Sequence, residues 1–127
     1  MCTFNDDIVI NGSIGEYAFD NCTIPSSARN VDLSIGSTSV SAHAFQRFGR
    51  TGTFTLKFHD IQFAQNTIGR YAFYEANITG GVEIPWCFRS IGDYAFTNCI
   101  GISSVVVNNS NIGDYAFQGC RDLASLQ

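Results

Sequence analysis

The chain has 127 residues, 45% of them hydrophobic and only 14% charged, with a formal net charge of −4. That length suits one domain, and the acidic balance excludes nucleic acid and anionic lipid as main partners, since both need a basic footprint. Apolar runs such as Ile8–Ile10 and Val105–Val107 are far too short to cross a membrane, and no basic N-terminus leads into an apolar segment of the signal-peptide kind.

Ile8 and Ile10 are apolar at i and i+2, the pattern of a strand with one buried face. Next comes Ile14-Gly15-Glu16-Tyr17-Ala18-Phe19, and its pattern Ile-Gly-x-Tyr-Ala-Phe returns at Ile68, Ile91 and Ile112, with a degenerate copy over Val40–Phe45. The starts at 14, 40, 68, 91 and 112 are spaced by 26, 28, 23 and 21 residues. Between starts lie further i, i+2 pairs: Val31/Leu33, Phe54/Leu56, Val82/Ile84 and Val105/Val107. All five pairs are expected in one strand slot, because the length changes fall in presumed loops: after Cys22, before Ile68 and before Ile112.

One strand per repeat with a long return predicts stacked coils and a parallel sheet, since no single coil can bury its own apolar edge. The Tyr-Ala-Phe return reads as a short helical or 3-10 segment. The Ile-Gly pair reads as a turn where glycine takes an unusual backbone angle. Stacking predicts one ladder of Phe19, Phe45, Phe73, Phe96 and Phe117, and a second of Tyr17, Tyr71, Tyr94 and Tyr115 with His43 in the missing slot. The fold class is thus an α/β solenoid, a single repeat domain of about five coils over 1–127 or a fragment of a longer array.

The segment Ile91-Gly92-Asp93-Tyr94-Ala95-Phe96-Thr97-Asn98-Cys99, followed by Ile102, Val105 and Val107, resembles the BspA-like (Treponema-type) leucine-rich repeat family. The run Val82-Glu83-Ile84-Pro85 up to Ile91-Gly92 is similar to that family's strand, Pro turn and next start. The resemblance covers about residues 8–126 and implies a right-handed leucine-rich-repeat-like coil. It also implies a cell-surface or secreted module for adhesion or protein binding, without catalysis. Departures are the scarcity of leucine (Leu33, Leu56, Leu123, Leu126), the degenerate second repeat, and Trp86-Cys87 after the turn proline.

The five cysteines have no Cys-x-x-Cys spacing, so no metal site is expected, and no cofactor motif is present. Cys22, Cys99 and Cys120 occupy the same repeat position as Phe48 and Ala76, which reads as packing by buried thiols. Cys99 and Cys120 are ladder neighbours, so a disulfide there is conceivable. Cys87, in a turn, is the expected exposed thiol, and Cys2 has no evident partner. His59-Asp60 offers a base without a placeable nucleophile, a remote hydrolase reading. Asn-x-Ser/Thr triplets begin at Asn11, Asn21, Asn77 and Asn108 and matter only in a secreted eukaryotic protein.

Two surfaces are candidates for binding. Val9, Asp32, Thr55, Glu83 and Val106 lie between the buried strand residues and are expected on one concave face. Trp86 and Cys87 follow one strand, while Ile61 and Phe63 follow its neighbour; covering of Trp86 by Ile61 and Phe63 favours a plain structural spacer, exposure favours an interface anchor. The expected partner is a protein or glycan. No polar cap is visible at either end, which predicts self-association through the solenoid ends.

Overall fold

Alternating burial follows directly from the i, i+2 pairs: Val31, Leu33 and Ile35 are buried while Asp32 is exposed, and Phe54, Leu56 and Phe58 are buried while Thr55 and Lys57 are exposed. The structure is a computed structural model and describes residues 2–25, 31–36, 38–49, 52–59, 64–108 and 110–126. The strands are β1 (Ile8–Ile10), β2 (Val31–Ile35), β3 (Phe54–Phe58), β4 (Asn66–Ile68), β5 (Gly80–Ile84), β6 (Phe88–Ile91), β7 (Ile102–Val107), β8 (Asn111–Ile112) and β9 (Ser125–Leu126). They form three parallel sheets ordered β1-β2-β3, β4-β6-β8 and β5-β7-β9. The molecule is a leucine-rich-repeat-like parallel solenoid.

Two register expectations fail. Phe54 bridges Ile78 and not Val82, while Ile8 pairs with Leu33 and not Val31. The pairs Val31/Phe54 and Val82/Val105 do align. Alternation identifies which residues of a strand are buried, but any even shift preserves it, so pattern alone cannot choose between registers two or four residues apart.

The repeat starts form a second ladder, not the expected turn. Ile14 bridges Val40, Val40 bridges Ile68, and Ile68 and Ile91 pair with Ile91 and Ile112 in turn. The following glycine serves close approach between coils. A Cβ on Gly69 would meet Ala42 N at 2.5 Å, and one on Gly92 would meet Arg70 N at 2.5 Å. The unusual backbone angle belongs to the aromatic residue instead: Tyr17, His43, Tyr71, Tyr94 and Tyr115 have φ between 57° and 62°. Four residues on, Asn21, Arg47, Glu75, Asn98 and Gly119 also have positive φ.

These left-handed residues explain why the return leg contains no helix among the described residues. Ala18 N donates to Gly15 O and Asp20 N to Tyr17 O, the i to i−3 bonds of successive β-turns, the first carrying Tyr17 at its left-handed third position. The intervening Phe19 N donates to Ala44 O of the next coil at 2.7 Å, and Phe45, Phe73 and Phe96 repeat this with Ala72, Ala95 and Ala116. Alternate N–H groups therefore point along the solenoid axis, and a helix, which needs one φ sign throughout, cannot propagate.

Both aromatic ladders form. Successive phenylalanines from Phe19 to Phe117 stack at 5.0–5.2 Å with planes within 9°. The outer ladder runs Tyr17, His43, Tyr71, Tyr94, Tyr115 at 4.6–5.3 Å. Phe45, Phe73 and Phe96 are wholly buried at the centre of one continuous core.

Candidate binding surfaces

The strand residues singled out from the sequence are all exposed, but they do not share one row. Asp32 pairs with Thr55 and Glu83 with Val106, whereas Val9 lies opposite Ser34. Thr55 Oγ1 donates to Asp32 Oδ1, and Asp32 N donates to Asp7 Oδ1. Glu83 accepts from Asn108 Nδ2 at 3.5 Å.

The turn after β5 is more distinctive. Phe88 N donates to Pro85 O at 3.1 Å, closing a four-residue turn with Trp86 and Cys87 at its centre. Pro85, Cys87 and Phe88 are buried, and Trp86 is 61% exposed. The expectation that Cys87 is an exposed thiol is overturned. The turn directs neighbouring side chains to opposite sides, and it is the tryptophan that faces out. Asn66 N donates to Cys87 O at 2.7 Å, Cys87 Sγ donates to His59 O at 3.6 Å, and Phe58 packs on Phe88 at 4.9 Å. Asp60, Ile61 and Phe63 lie outside the described residues.

A family model for the BspA type leucine-rich repeat region matches residues 3–123 in 6 copies. The chain belongs to the BspA-type leucine-rich repeat family. Searches of curated proteins and of solved structures gave no match. The family model counts one copy more than the five hexapeptide starts, and its first residues coincide with structure before Ile14: Thr3 bridges Thr23 and β1 pairs with β2.

Within this BspA-type solenoid, Cys2 forms a disulfide with Cys22, with Cα atoms 4.8 Å apart. That corrects the reading of Cys22 as a buried thiol and of Cys2 as partnerless. The repeat register places Cys22 in its column, but only the approach of the N-terminal segment, seen in Thr23 N donating to Cys2 O, brings the second sulfur beside it. Cys99 and Cys120 are thiols and not a disulfide. Their Sγ atoms donate to Phe73 O and Phe96 O at 3.0 and 3.1 Å. Burial, then the neighbouring Cys120, pushes the Cys99 thiol well above its usual range; burial also raises Cys120.

Of the four glycosylation-type triplets, Asn77 and Asn108 spend their amides on main-chain carbonyls of Gly49 and Ile84. His59 is exposed. Among the described residues, no group of three or more His, Cys, Asp or Glu side chains is placed to hold a metal, and no helix is long and apolar enough to cross a membrane.

The turn segments carry a further feature that no motif in the sequence marks. The position after each ladder phenylalanine carries Asp20, Gln46, Tyr74, Thr97 and Gln118. The drop in size from Tyr74 to Thr97 leaves a cleft lined by Tyr71, Tyr74, Tyr94, Thr97, Asn98, Gln118 and Gly119. The only sequence signal is that size step at a fixed repeat position.

Proposed function

We propose that this chain is a non-enzymatic repeat module that binds a protein partner at the cell surface or outside the cell, with Trp86 as its anchor. The observation that carries the reading is a tryptophan 61% exposed at the centre of a closed turn whose other members are buried. Tryptophan is the residue type most enriched among binding hot spots, and a side chain held on a rigid turn loses little freedom on binding. Glu83 and Val106 are paired and exposed on β5 and β7, with Glu83 three residues before Trp86. Membership in the BspA-type family supports surface presentation and adhesion, and the Cys2–Cys22 disulfide fits an oxidising compartment.

The test is an interferometry panel of purified extracellular proteins, read with the native chain and with Trp86→Ala. A partner bound by the native chain and weakened about thirtyfold by Trp86→Ala, at unchanged melting temperature, is the expected result. Binding indifferent to the substitution, or no binding across the panel, sinks the Trp86 anchor.

A further inference from the structure

The cleft on the turn face has a volume of about 360 Å³, within the range of roughly 300–1,000 Å³ typical of small-ligand sites. Its chemistry is specific. It offers the phenols of Tyr71, Tyr74 and Tyr94, the amides of Asn98 and Gln118, and a floor at the buried Thr97. None of the lining residues is charged. The Arg47 guanidinium lies over the Tyr74 ring at 5.9 Å, from the coil on the N-terminal side. The Tyr71 ring meets Tyr74 edge to face at 5.3 Å, and both rings line the cleft. Gly119 keeps the far wall low: φ is +75°, and a Cβ there would meet Asn98 Oδ1 at 2.0 Å, so the Asn98 amide folds over the glycine.

None of the lining residues supplies a counter-charge for an ionic ligand, the Arg47 and Arg70 guanidiniums lying over the Tyr74 and Tyr71 rings, and a purely apolar ligand would desolvate two amides without replacing their hydrogen bonds. Half-buried tyrosine rings with amide donors and acceptors beside them match a sugar ring, whose C–H groups pack on the aromatics while its hydroxyls exchange hydrogen bonds with amides. We propose that this cleft is a binding subsite for a neutral saccharide. Tyr71 and Tyr94 repeat the same phenol 5.0 Å apart along the solenoid axis, so an oligosaccharide lying along that axis meets equivalent groups from one coil to the next. The site stands apart from the Trp86 surface and does not depend on it.

The test is an amide-detected NMR titration of the native chain with maltose, cellobiose, lactose and diacetylchitobiose, and with glucose 6-phosphate as the anionic control. The expected result is that at least one neutral disaccharide shifts the signals of Tyr74, Thr97, Asn98 and Gln118 and that the anionic control does not. Gln118→Ala, an exposed change that leaves the fold intact, weakens that saccharide about threefold, and Tyr74→Ala about tenfold. Trp86→Ala leaves it unchanged, which separates this site from the protein-binding surface. Should Tyr74→Ala unfold, Gln118→Ala and the shift map decide. The proposal is overturned if none of the four disaccharides shifts these signals, if the shifts map elsewhere, if the anionic control binds equally, or if folded Gln118→Ala binds as the native chain does.

Discussion

Tyr94 stacks on Tyr71 with ring centroids 5.0 Å apart and planes 7° from parallel, and both residues hold a left-handed backbone, with φ of 61° and 57°. The same residue type thus accepts backbone strain and offsets it by stacking. An L-residue in this region costs roughly 1–2 kcal/mol, which glycine escapes, while an aromatic pair contributes about 0.5–1.5 kcal/mol beyond burial.

Tyr94 sits between Tyr71 and Tyr115 and loses both stacks when truncated. Tyr94→Ala keeps the strain and loses the stacks; Tyr94→Gly loses the stacks but relieves the strain. Urea midpoints are expected to rank the native chain first, Tyr94→Gly second and Tyr94→Ala last, with the two variants about 1 kcal/mol apart. The opposite order of the variants would show that the strain is not felt.

Glycines at one motif position are expected to behave differently. A Cβ on Gly92 would meet Arg70 N at 2.5 Å, whereas one on Gly15 finds nothing within 4 Å. Gly92→Ala is therefore expected to destabilise by about 1–3 kcal/mol through overpacking, and Gly15→Ala to leave the thermal midpoint within about 1 °C of native. Equal effects at both sites would contradict coil-to-coil contact as the reason for the glycine.

The thiols give a pH signature. Burial raises the Cys99 thiol well above its usual range, so the folded chain keeps this proton while the unfolded chain loses it above about 8.5. The contribution is complete below that unfolded value. It is lost as pH rises toward the folded one, because ionisation then favours the unfolded chain. Cys99→Ala, which copies the Ala76 already present in the column, is expected to flatten the decline in urea midpoint between neutral and alkaline pH. An identical decline in both proteins would remove Cys99 from the account. Iodoacetamide should label neither Cys99 nor Cys120 in the native state at neutral pH, and both after unfolding, as intact mass would record.

Reducing the Cys2–Cys22 disulfide, which spans a sequence separation of 20, is expected to cost about 3 kcal/mol by freeing the unfolded chain. A non-reducing digest that cuts after Asp and Glu, which lie between the two cysteines at Asp6, Asp7, Glu16 and Asp20, should yield one linked peptide pair. An unchanged melting temperature in reductant, with the bond shown to be open, would mean that the N-terminal segment holds its place without it.

By itself the sequence determined the solenoid, the alternation of buried and exposed residues in its main strands, both aromatic ladders and the BspA-type membership, because every coil places the same residue in the same environment and repetition makes that environment readable. Length and low charge, taken alone, carried none of this. Tertiary structure alone decided four things. Phe54 meets Ile78, because an even shift of register keeps alternation intact. Tyrosine and not glycine takes positive φ, because the glycine is needed where the coils touch. Cys2 reaches Cys22 through an approach outside the repeat. Trp86 faces out while Cys87 faces in, because the direction of a turn's side chains depends on what packs beneath it, and no spacing in the chain encodes that.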